Sequence, residues 1–145
     1  MTKNTNLKIK EISYDPGELV DKLSILHIKE IKLSKSNTKF NKAITNIQKD
    51  LNKYLRKGLN IKLVNYLIIL SQINLYIWNL RDEIHNDKNV DKKKLKLSHQ
   101  LNAVRNITKN KISNVLLKKK NKSFNIRTNT DLEDLKNWNF SALDQ

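Results

Sequence analysis

Arg105 and Lys109 stand four residues apart, with Asn102 one turn before Arg105, so on a helix the three share a face. Such a face presents hydrogen-bond donors either to one bound anion or to carboxylates on a neighbouring helix. Charged residues also interrupt two apolar stretches: Glu18, Asp21 and Lys22 in one, Arg81, Asp82 and Glu83 in the other. Asp21, Lys22, Arg81, Asp82 and Asn102 therefore form a candidate polar cluster with two readings. In the commoner one, the residues pair between helices and set the register of the packing. In the other, Arg105 and Lys109 hold a phosphorylated or sugar-linked metabolite while a carboxylate acts as base, which requires a concave pocket between the first, third and fourth helices.

A second group is purely cationic. Residues 88–122 contain 12 Lys or Arg against one acid, Asp91, and include Lys92, Lys93 and Lys94 at one end and Lys118, Lys119 and Lys120 at the other. The expectation is a strongly electropositive end of the domain that attracts RNA, DNA or an anionic glycan through counterion release. Lysine at a helix C-terminus also complements the helix dipole without any ligand. The net charge of +15 is carried by 25 Lys and only 4 Arg. That ratio fits A/T-rich codons, and it removes the residue best suited to bidentate phosphate and base contacts.

Other chemistry finds little to work with. There is no cysteine, so neither a thiolate nucleophile nor a cysteine zinc site can form, and a cytoplasmic setting is expected. Asp82 and His85 share a helix face at a metal-binding spacing, but no second copy of that motif accompanies them, so neither metal nor cofactor is expected. Gly-rich phosphate loops, Gly-x-Ser-x-Gly turns and His-Glu-x-x-His helices do not occur.

These side chains need elements to position them. One proline and two glycines in 145 residues favour long helices. Residues 1–14 form an expected extended arm around Leu7, Ile9 and Ile12, with no signal-peptide pattern. Asp15-Pro16-Gly17-Glu18 is a helix start, opening a first helix that runs to about Ser34. Phe40, Ile44, Ile47, Leu51 and Leu55 mark a second helix capped near Gly58. The third spans about Lys62 to His85 and is apolar nearly all round, as expected of the most buried, central element. Its Asn65, Ser71, Gln72, Asn74 and Asn79 argue against a membrane span. A fourth helix covers about Asp91 to Lys119, followed over 120–145 by an extended piece around Phe124 and Ile126 and a short docked helix carrying Trp138 and Phe140.

Three segments resemble a family of small helical proteins. They are Gly17-Glu18-Leu19-Val20-Asp21-Lys22-Leu23-Ser24-Ile25-Leu26, then Trp78-Asn79-Leu80-Arg81-Asp82-Glu83-Ile84, then Leu101-Asn102-Ala103-Val104-Arg105-Asn106 with Lys109 and Ile112. The family is an uncharacterised bacterial and phage one, a domain of unknown function sometimes met beside glycosyltransferase and surface-polysaccharide genes. The resemblance implies that Asp21, Lys22, Asp82, Arg105 and Lys109 are more than ordinary surface residues, without assigning them a role. His27 and His85 depart from its pattern.

The resulting expectation is one mainly α domain over residues 1–145, an antiparallel four-helix bundle over 15–119 with an extended arm before it and a docked tail after it. Its expected function is non-enzymatic binding of a polyanion through the lysine-rich surface. The alternatives are a helical ligand-binding protein or enzyme, and a structural protein that joins a protein partner or further copies of itself through Trp78, Trp138 and Phe140.

Overall fold

The computed structural model describes residues 15–33, 37–56, 58–89 and 91–118. It is a mainly α four-helix bundle: α1 (Pro16–Lys32), α2 (Asn37–Leu55), α3 (Ile61–Asn86) and α4 (Lys92–Leu117), with no strand among these residues. The arm over 1–14, the extended piece around Phe124 and the tail with Trp138 and Phe140 lie outside the described residues.

Local chemistry sets the helix ends. Asp15 caps α1, its carboxylate accepting from the Gly17 and Glu18 amides at 2.8 and 3.3 Å, while Pro16 occupies the first helical position, where no amide is needed. Gly58 follows α2 at φ +88°, a left-handed conformation that glycine adopts without a Cβ penalty, and its amide donates to the Leu55 carbonyl. Asn60 caps α3 through the Leu63 amide at 2.8 Å, and Asp91 caps α4 through the Lys93 amide at 2.9 Å. Lys118 closes α4 in the left-handed region at φ 52°. Such a cap returns its amide to the last carbonyls, here those of Asn114 and Val115.

Successive helices run antiparallel. Leu63 and Leu70 near the start of α3 pack with Ile112 near the end of α4, whereas Ile77 and Leu80 pack with Leu101 and Val104. Leu55 at the end of α2 joins Val20 and Leu63 at the opposite pole from the α1–α2 connection. Leu70, Leu101, Val104 and Ile112 are completely enclosed, and truncating Leu70, Leu101 or Ile112 to Ala would cost about 2–5 kcal/mol by lost transfer energy plus the cavity left behind.

α1 and α4, rather than α3, each pack on all three other helices, and α2 leans mainly against α1. This corrects the expectation that α3 is the most buried element. Its inner stripe is buried, but Ile61, Ile68, Leu75 and Tyr76 are exposed, and none of the described helices covers that side. By length and composition α3 is apolar enough to cross a membrane, and in the bundle its inner face is packed against α4 and α1.

Candidate functional site

Three polar positions of α1 meet three of α4, one turn at a time. At the top, the amide of Gly17 donates to the Ser113 hydroxyl at 3.0 Å, and that hydroxyl donates in turn to the Asp15 carboxylate. Helix backbones can approach this closely because Gly17 has no side chain. A Cβ there would run into the Lys109 carbonyl and the Ser113 hydroxyl. One turn down, Lys109 Nζ donates to Glu18 Oε1 at 2.7 Å.

Asp21 and Arg105 occupy the centre. Arg105 Nε donates to Asp21 Oδ1 at 2.8 Å and Nη2 to Oδ2 at 2.5 Å, the two-point geometry that a planar guanidinium offers a carboxylate. Arg105 Nη1 donates to Asn102 Oδ1 at 3.2 Å. From the third side, Asn74 Nδ2 of α3 donates to Asp21 Oδ1 at 3.0 Å and to the Ser24 hydroxyl at 3.2 Å. Asp21 is only 3 % exposed, so its charge is tolerable because α3 and α4 both supply donors to it.

This arrangement consumes the groups a substrate would need. Both Asp21 oxygens accept from the protein, and Arg105 donates from all three of its nitrogens to Asp21 and Asn102. On this geometry Asp21, Asn102, Arg105 and Lys109 pair between helices α1, α3 and α4. Lys22, Arg81 and Asp82 are exposed on the surface of α1 and α3. One hollow opens at Tyr54, Gly58, Leu63, Val115 and Lys118, and another along Ile61 to Ile68, both away from Asp21.

The cationic residues of α4 do not gather in one place. Lys92 and Lys93 are exposed at its first turn, and Lys118 is exposed at its last. A 26-residue helix separates them by roughly 39 Å, so the expected single electropositive end is two opposite ends. Lys94 pairs with Glu83 at 3.2 Å, and that hydrogen-bonded carboxylate raises its ammonium above the ordinary lysine pKa. Lys119 and Lys120 lie outside the described residues.

A different row emerges on α2. Lys39, Lys42, Lys49, Lys53 and Arg56 recur at spacings of three, four and seven and are all exposed, opposite the buried Ile44 and Leu51. The acid beside them is Asp50, which lies 3.4 Å from Lys53. Its signal was present in the sequence as lysines out of phase with the α2 apolar stripe. Asn74 was legible in the same way, as an amide on an otherwise apolar inward face, whereas nothing local marks Ser113 or Ser24 as partners.

Comparison with protein-family models, curated proteins and solved structures finds no match for this chain.

Proposed function

We propose that the chain is a non-enzymatic binding module for a linear polyanion. The observation that carries this reading is the α2 row, in which Lys39, Lys42, Lys49, Lys53 and Arg56 line one exposed helix face. From Lys39 to Arg56 the row extends roughly 26 Å at the helical rise, a length over which a polymer with regularly repeated phosphate or sulfate groups makes several contacts. Lysines on flexible stems supply charge rather than recognition of a base sequence. Four of the five members are lysines, so the expected selectivity is for charge density and chain flexibility.

A catalytic or metabolite-binding role has less support, because Asp21, Asn102, Arg105 and Lys109 spend their polar groups on one another and on Asn74 and Glu18.

The test is binding to labelled single-stranded RNA, duplex DNA and a heparin-like glycan across a salt series. If the whole row engages a single strand, log K falls against log salt with a slope of about −3 to −4. Lys42→Glu/Lys49→Glu should flatten that slope. A complex that is insensitive to salt, or equally strong after the double reversal, would sink the proposal; whichever of the three polymers binds tightest names the partner class.

A further inference from the structure

We infer that the outward face of α3 joins two copies of this chain, packed antiparallel helix to helix. Ile61, Val64, Ile68, Ser71, Leu75 and Trp78 follow one another at spacings of three, four, three, four and three. That is the spacing of a two-helix seam, in which side chains of one helix fill the gaps between side chains of the other. On α3 this seam is separate from the inward stripe of Leu63, Leu70, Ile73, Ile77 and Leu80 that builds the core. Ile61 is 80 % exposed, Ile68 56 % and Leu75 36 %, with Val64, Ser71 and Trp78 half-buried beside them. The polar member, Ser71, already donates its hydroxyl to the Ile68 carbonyl at 2.8 Å, so covering it strands no donor.

A socket for the partner is already shaped. Ile61, Val64, Asn65 and Ile68 surround a hollow of about 250 Å³, with Lys62 at its rim. Positions i, i+3, i+4 and i+7 are the four residues that form the hole for an incoming knob in helix pairs. When two α3 helices cross head to tail with Ile61 opposite Trp78, the side chain arriving at this hole is Leu75 of the other copy.

Charge selects a second copy and its direction. The chain carries +15, so two copies repel across most of their surfaces, yet no charged residue occurs between Lys62 and Arg81. Asn65 and Gln72 flank the seam with uncharged amides, and near Trp78 the Asn79 amide oxygen accepts from Lys32 of α1 at 2.9 Å, leaving one cation at the rim. An antiparallel pair carries the exposed Asp82 of one copy toward the α2–α3 turn of the other, where Arg56 and Lys62 stand; a parallel pair sets like charges side by side. A seam of this length buries roughly 1,000 Å² in total, the size of a weak, reversible interface, so association in the micromolar range is expected.

Sedimentation velocity over a concentration series should show a monomer–dimer equilibrium. Ile68→Glu, a change at an exposed position, should leave a monomer with the wild-type circular dichroism, and Leu75→Glu should do the same from the knob side. Because the chain has no cysteine, mixing Val64→Cys and Leu75→Cys proteins should give a mixed disulfide on mild oxidation, while Ile61→Cys alone should not. A wild-type protein that stays monomeric throughout would overturn the inference. So would self-crosslinking of Ile61→Cys, which marks a parallel pair. Flotation of the monomer with neutral lipid vesicles, lost in Ile68→Glu, would assign the face to a bilayer and equally reject the dimer.

Discussion

The carboxylate of Asp21 and the guanidinium of Arg105 meet through two hydrogen bonds, at 2.8 and 2.5 Å, although they are 84 residues apart in the chain. With Asn74 and Asn102 as further partners, the pair ties α1, α3 and α4 together at mid-height. Because the helices can slide past one another along smooth apolar faces, a polar clamp with fixed geometry selects one register.

Removing one partner of this pair should destabilise the fold severely. Asp21→Ala or Arg105→Ala leaves a largely buried charge without its counterion, which costs about 3–5 kcal/mol. A double replacement by apolar residues of similar volume, Asp21→Leu/Arg105→Met, should recover much of that loss. Urea denaturation of the two single variants and the double variant measures the coupling. Losses that simply add would show that the pair is not a clamp.

Gly17→Ala tests the close approach of α1 and α4. Alanine normally improves a helix by up to about 1 kcal/mol over glycine. Here its methyl group meets the Lys109 carbonyl and the Ser113 hydroxyl, and separating the helices should cost about 1–3 kcal/mol instead. A thermal melt that rises rather than falls would reject the contact.

The Lys94–Glu83 pair should be visible at alkaline pH. Glu83 raises the Lys94 pKa above 10.5, so the folded state holds this proton more tightly than the unfolded chain does. Its stabilising contribution is fully present below the ordinary lysine pKa and is lost as pH rises through the raised value. Nuclear magnetic resonance titration of the lysine side chains should find Lys94 titrating high, and Glu83→Gln should return it to the ordinary range.

Cation position should matter for polyanion binding more than cation number. Lys42→Glu/Lys49→Glu breaks the α2 row, whereas Lys92→Glu/Lys93→Glu makes the same charge change at the first turn of α4. The α2 pair should weaken single-strand binding more at equal salt. Equal losses from the two pairs would mean that the net charge alone draws the polymer.

Much of this architecture is legible along the chain. Asp15-Pro16 at the start of α1, Gly58 after α2 and the apolar stripes of four helices act within a few residues of themselves, so their consequences follow from local capping geometry and from the helical period. The shared face of Asn102, Arg105 and Lys109 follows from that period too. Whether it turns to a ligand or to Asp21 and Glu18 does not, since the partners lie on another helix and only its orientation brings them into reach.

Tertiary structure also decided which helix is central. α3 is apolar on two faces, and periodicity alone cannot say that one will remain outside, because burial depends on how many helices surround a helix and not on its own composition. Likewise, the lysines of α4 are close in sequence and far apart in space, since a straight helix spreads 26 residues over the length of the bundle. Sequence by itself determined where helices begin and end and which faces are apolar. Packing determined which polar groups find one another, because those distances are set by helix docking and by no local rule.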